Sequence, residues 1–251
     1  MPNVSSKNGI RKERRVSTRA VAIFFVALAL CSLMTGFTIR NKSNLERLTM
    51  ERLILEHSVK ITEVISKLLH KTQALSALVI QGNGGIENFD RVAATIVDDP
   101  AILNILIAPN GVVSHVYPEE GNEKLVGFNI LGGDDAGNRE AVAAYESDAL
   151  VFGGPFELMQ GGRAMVGRLP VWIDESNNVK RFWGLVSVTL KYPEALDGAA
   201  LDSIEKQGFA YEIWRINPDD GKRQVIMSGK SNVDAERFRF IEKHIPILNA
   251  N

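Results

Sequence analysis

An uncharged run from Ala20 to Ile39, AVAIFFVALALCSLMTGFTI, constrains this chain more than any other feature. A helix rising about 1.5 Å per residue needs roughly 20 residues to cross the ~30 Å hydrocarbon core of a bilayer. Arg19 and Arg40 bound the run, and its Thr35, Gly36 and Thr38 are acceptable in lipid because helical backbone bonds close internally. Upstream, Lys7, Arg11, Lys12, Arg14, Arg15 and Arg19 stand against a single acid, Glu13. That asymmetry puts the basic tail, residues 1–19, in the cytoplasm and everything after Arg40 outside it. The expected location is a bacterial inner membrane, crossed once by residues 20–39, with the folded part in the periplasm. A cleaved signal peptide fits poorly, because the apolar core is long and runs into Phe37, Thr38, Ile39 and Arg40 instead of a small-x-small site. A lipoprotein would need a small residue where Leu30 precedes Cys31.

The 251 residues carry a formal net charge of −1, so charge argues against nucleic acid as a partner. The basic tail reads as a topology signal and a contact for anionic lipid. Cys31, the single cysteine, lies inside the apolar run, so an exported domain has no disulfide framework and must rely on its core. Roughly 170 residues beyond the span and stalk are enough for one larger domain or two small ones.

From Arg40 to Ile80 the chain has no proline or glycine and is rich in helix formers, which predicts one stalk helix over 40–81. At that length it would carry the chain on the order of 60 Å. Ile61, Val64, Leu68, Leu75 and Leu78 form a stripe at coiled-coil spacing, with Leu45, Leu48 and Leu55 forming a rougher one nearer the membrane. A parallel homodimer through the stalk is the natural partner for such a stripe; a helix packed lengthwise on its own domain is the alternative. His57 and His70, without a ligand cluster nearby, read as solvated surface residues.

Gln81 to Gly85 ends the helix, and Ile86 to Val97 reads as a short amphipathic helix. Ile102–Ala108 and Val112–Tyr117 flank Asn110-Gly111, a strong hairpin signal. Asn138 is a candidate N-cap for a helix through Leu150. Strands follow at Phe152–Met159, Arg163–Ile173 and Phe182–Leu190, an antiparallel meander with a polar tip at 175–178. A helix from Tyr192-Pro193 to Lys206 links to strands Phe209–Ile216 and Arg223–Met227, and Ala235–Lys243 reads as a last helix. This is an α+β chain with two small antiparallel sheets on a stalk.

Catalytic motifs are absent from the sequence: no HxxxH, CxxC or GxSxG occurs, and His115 and His244 lack a partner by spacing. Gly132-Gly133-Asp134-Asp135 departs from the GGDEF signature of diguanylate cyclases and lies on the wrong side of the membrane for GTP, so it reads as a loop before a helix. No enzyme activity, cofactor or metal is expected.

Several separate motifs then occur in a consistent order: Tyr117-Pro118, Gly121 to Glu123, Gly127, Gly154 to Phe156, Gln160-Gly161, Arg168 with Pro170-Val171, and Phe182 to Gly184. In this the chain resembles the CHASE domain, an extracytoplasmic sensory module of receptor histidine kinases and nucleotide cyclases. The resemblance implies a membrane-distal PAS-like subdomain over 82–192, binding a small molecule. It also implies a linker helix and a membrane-proximal PAS-like subdomain over 193–251, apparently incomplete, as in an N-terminal fragment of a receptor.

By the same resemblance the ligand-binding positions fall on Asn129, Phe152, Phe156, Leu158 and Arg168. Asn129 stands where cytokinin-binding relatives often carry an acid, and a neutral amide cannot pair with a basic ring as a carboxylate does. Arg168, turned inward, would favour an anionic group on the ligand. The aromatic positions Phe152, Phe156 and Trp183 fit plain core equally well. The resulting expectation is a sensor that binds a small molecule and transmits the event through stalk and span. A membrane-anchored interaction protein without a ligand is the alternative.

Overall fold

The computed structural model describes residues 18–132, 138–158, 161–175, 179–218, 220–229 and 240–247. The chain divides into two units, residues up to Met50 and residues from Glu51 onward.

The first unit is helical. It belongs to α1, Thr18–Gln81, which runs without interruption through Arg40 because no proline or unfavourable glycine run intervenes before Gly82. The apolar residues 20–39 are exposed, Leu33 at 71% and Phe37 at 67%, where a core helix of a water-soluble domain would hide them. An 18-residue window here has a mean hydropathy of 2.4, long and apolar enough to cross a membrane. Thr35 and Thr38 donate their hydroxyls to the carbonyls of Cys31 and Met34 one turn back, so neither leaves an unmet polar group.

In the second unit α1 buries Leu53, His57, Ile61, Ile65, Leu68, Leu69, Thr72, Leu75 and Val79, a stripe with mostly three- and four-residue steps. The stripe expected to meet a second copy is thus largely taken up by the chain's own core: Ile61, Leu68 and Leu75 are buried, and Val64 and Leu78 pack beside them. His57 is not a surface residue. It is 3% exposed, its Nδ1 2.9 Å from the Ala199 carbonyl and its Nε2 3.2 Å from Ser203 Oγ. Its place on the inward stripe decides this, since a residue four positions from Leu53 and Ile61 shares their face. His70, one position past Leu69, is exposed.

α2, Phe89–Ile96, leads into a five-stranded antiparallel sheet built from β1 (Ile102–Pro109), β2 (His115–Tyr117), β3 (Val151–Glu157), β4 (Arg163–Glu175) and β5 (Val179–Lys191). The order is β2-β1-β5-β4-β3. The hairpin and the meander therefore join into one sheet through β1 and β5. α3, Asn138–Ser147, lies between β2 and β3 in sequence.

Facing residues across an antiparallel sheet share a side. The row Tyr117, Ile105, Val188, Gly167 and Phe152 is turned towards the core that α1 completes. Gly167 is needed there: a Cβ would come within 2.3 Å of Leu69 Cδ2, so only glycine lets the strand approach the helix this closely. The adjacent row, Val116, Leu106, Ser187, Arg168 and Val151, is turned to the opposite side.

The linker differs from the single helix expected. A 3₁₀ segment, Glu194–Ala199, and α4, Asp202–Lys206, are separated at Ala200, whose φ is +51°. Packing on α1 overrides local propensity here: a Cβ at Gly198 would lie 2.9 Å from Val64 Cγ2, and the Ala199 carbonyl is held by His57. β6 (Tyr211–Ile216) and β7 (Arg223–Gly229) form a separate two-stranded sheet. Of the last expected helix, 235–239 lie outside the described residues and 240–243 are not helical. The basic tail up to residue 17, Gly133 to Asp135, Gln160 and the tip at 176–178 also lie outside them.

Candidate functional site

The side of the sheet away from α1 carries most of the buried polar chemistry. Asn104, Arg168, Ser187 and Thr189 sit on it, and Asn122, Asn138 and Glu140 come from the loop and helix that cover it. Ser187 faces Arg168 directly, with Cβ atoms roughly 5 Å apart in such a pair, and Asn104 faces Thr189 one row along, diagonal to Ser187 at about 7 to 8 Å. The cover belongs to the second apolar cluster, where Ala141 and Ala144 of α3 meet Leu106, Ala108 and Leu185. Small residues at those two positions let α3 lie close on the strands.

Several polar atoms in this layer have no partner among the described residues: Arg168 Nε and Nη1, Ser187 Oγ and Asn104 Oδ1. Asn104 uses its amide to donate to Asn122 Oδ1 at 2.9 Å, and Asn122 in turn donates to the Pro118 carbonyl at 2.9 Å. Asn138 donates to the Gly132 carbonyl. Buried polar groups in folded proteins are satisfied almost without exception, so the unmet atoms gathered in one layer make it the candidate site. Trp172 Nε1 is also unmet; it stands apart, in a ring cluster with Tyr145 and Phe182.

Arg168 is 9% exposed, and burial pushes its guanidinium down to about 10, with Glu140 working against that shift. It remains cationic at neutral pH. Glu140 is itself buried and its Oε1 lies 3.4 Å from Arg215 Nη1 of β6. Arg215 also donates from Nε to Gln224 Oε1 at 2.8 Å and stands 5.6 Å over the Phe156 ring. Gly153, facing the same side, makes room for Glu140: a Cβ there would meet Glu140 Cγ at 2.7 Å.

The five expected site residues do not converge. Arg168 and Phe156 share the polar side, Phe156 through its pairing with Ala164 after a register shift in β3. Phe152 is on the other side, packed with the α1 core, because it lies one residue from Val151 and strand side chains alternate. Leu158 is half-buried at the turn after β3, where its N–H donates to the Gly162 carbonyl at 2.9 Å. Asn129 is exposed; its Oδ1 accepts from the Leu131 N–H at 3.0 Å, a local turn contact. Sequence reasoning passed over Asn104, Glu140, Ser187 and Arg215. The first and third had a signal, a polar residue inside the apolar strands ILNILIA and LVSVTL, while Glu140 and Arg215 had none.

Open surface depressions of about 470 Å³, beside Glu63, Lys67 and His70, and about 400 Å³, beside Asn88, Arg91 and His115, lie elsewhere and are lined mainly by exposed side chains.

Among solved structures, an extracellular ligand-binding receptor from Desulfohalobium retbaense is similar in fold, with a TM-score of 0.52 at 15% identity. The similarity covers 66% of this chain and 29% of the receptor, so the chain spans less than a third of that protein's length. No curated protein matches in sequence. The model of the CHASE domain matches residues 95–225, from the end of α2 to the start of β7. That is more than half of the chain, and it includes the polar layer with Arg168, Ser187 and Asn104; the chain belongs to the CHASE-domain family.

Proposed function

We propose that this chain is the membrane-anchored sensory part of a signalling receptor, and that it binds a small molecule carrying an anionic group on the polar side of the five-stranded sheet. The family is sensory and non-catalytic, and α1 fits a single-pass membrane protein. The observation that carries the reading is the buried, cationic Arg168 with two unmet donors, with Ser187 opposite it and Asn104 further along the same side of the sheet. An anion placed there supplies the charge and the acceptors that a desolvated guanidinium requires.

In this reading residues 1–19 are a cytoplasmic tail, 20–39 the inner-membrane span and 40–81 the stalk. Residues 82–192 form the distal PAS-like sensory subdomain and 193–251 the linker and proximal part, all of it periplasmic. The ligand pocket is built on Arg168 and Phe156, with Phe152 as core support beneath the sheet and Leu158 and Asn129 at its margin. Two copies associate in parallel through the apolar residues of α1 that its own domain leaves exposed, Leu45, Leu48, Leu55 and Val59, which recur at three-, seven- and four-residue steps. Ligand binding biases one of two arrangements of the paired stalks in proportion to its differential affinity for them.

A thermal-unfolding screen of anionic small molecules against the full chain in lipid nanodiscs tests the site. A ligand that raises the midpoint should lose its effect in Arg168→Met and retain it in Phe152→Ala. A shift undiminished in Arg168→Met refutes this location. A protein that answers to no small molecule is instead an interaction module.

A further inference from the structure

Resting on that reading, we propose that Glu140 sets the ligand's charge: the site takes a small monoanionic carboxylate bearing a hydroxyl group, and rejects dianions. Among the described residues, Glu140 and Arg168 are the only carboxylate and the only guanidinium or ammonium group that are buried, and they lie in the same layer. Arg215 joins them from β6, its side chain one-fifth exposed and 3.4 Å from the Glu140 carboxylate. The cluster therefore holds two cations and one anion. With Arg215 only one-fifth exposed, the net positive charge of the cluster is poorly solvated, and one added negative charge brings the cluster to neutrality. A second negative charge would face Glu140 at close range without a cation to meet it.

The hydrogen-bonding groups narrow the class further. Arg168 Nε and Nη1 offer protons to a carboxylate. Asn104 Oδ1 accepts only, and Ser187 Oγ can do either, so the other end of the ligand must donate. A hydroxyl donates without adding charge, whereas an ammonium would cancel the carboxylate. Glu140 is held for this task from two sides, by Arg215 and by the space that Gly153 leaves at its Cγ.

The rule is tested by calorimetric titration of the full chain in phosphatidylcholine nanodiscs at neutral pH, with glycolate and 3-hydroxybutyrate as monoanions and succinate and malate as dianions. The wild type should prefer the monoanions at least tenfold. E140Q, which raises the cluster to two positive charges, should reverse that preference, and E140Q/R215Q, which returns it to one, should restore it. R215Q alone leaves no net charge and should lower monoanion affinity at least tenfold, an independent measure should E140Q fail to fold. Dianions binding the wild type as tightly as monoanions, with binding lost in Arg168→Met, overturn the charge rule and leave the site standing. Heat from none of the four probes overturns the rule and the anion site together.

Discussion

Arg168, the proposed binding residue, illustrates how such a group can work against the stability of the fold that holds it. Its guanidinium is buried opposite Ser187, with Nε and Nη1 unmet, while Glu140, the carboxylate whose charge acts on it, is already engaged by Arg215. Replacing a buried, incompletely paired ion by an apolar side chain of similar length is often neutral or stabilising, by roughly 1 to 4 kcal/mol. Arg168→Met should therefore leave the free protein as stable as the wild type or raise its unfolding midpoint, on the order of 2 to 4 °C per kcal/mol for a domain of this size. Chemical or thermal denaturation without added anion checks this; a loss of several degrees would mean that the guanidinium is stabilised by groups other than those described. The Arg168 folded value lies below its usual one, so it is charged in both folded and unfolded chains at every pH below about 10. Its unfavourable contribution is thus constant across the neutral range and is relieved only above about 10. Stability near neutral pH should not report on this group, whereas ligand charge should.

At the scale of elements, α1 has two kinds of apolar residue with different work. Leu69, fully buried, fills the space over Gly167, and the same stripe carries His57 to the linker carbonyl at Ala199. Leu69→Ala should destabilise the folded unit by about 2 to 5 kcal/mol, the usual range for truncating a buried leucine in a rigid core. Leu55 and Val59 are more than half exposed. Leu55→Glu with Val59→Glu should change the unfolding midpoint little, since surface substitutions away from special features stay within about 0.5 kcal/mol. The same pair should abolish self-association in sedimentation or cross-linking if the proposed stalk dimer forms. An unaltered dimer would assign the interface elsewhere. The Arg215 to Glu140 contact ties the β6–β7 pair to α3, so this second sheet reaches the charge layer of the first.

For the whole molecule, the proposed topology has a direct consequence. A phosphatase that is active only outside the cytoplasm, fused after Lys191 at the end of β5, should be active, and a reporter active only inside should be dark. The opposite pattern would put the sensory unit on the cytoplasmic side and remove the positive-inside argument made from Lys7 to Arg19.

Local chemistry sufficed for several of these features. The apolar run long enough to cross a membrane, the end of α1 at Gly82, the turn at Asn110-Gly111 and the strands β3 to β7 follow from composition over a few residues, because apolar length, helix propensity and turn stereochemistry act at short range. The ordered motifs from Tyr117 to Gly184 were likewise enough to indicate the family. What the sequence could not determine was decided by contacts between distant segments. The register of β3 on β4 sets Phe152 opposite Gly167 and Val151 opposite Arg168, so that Phe152 and Arg168 lie on opposite sides of the sheet. The docking of α1 buries His57, takes up the stripe that suggested a partner, and breaks the linker helix at Ala200. Glu140 and Arg215, 75 residues apart, meet only in the folded chain. Spacing along a strand or helix tells which residues share a side; only packing decides which side is covered, and by what.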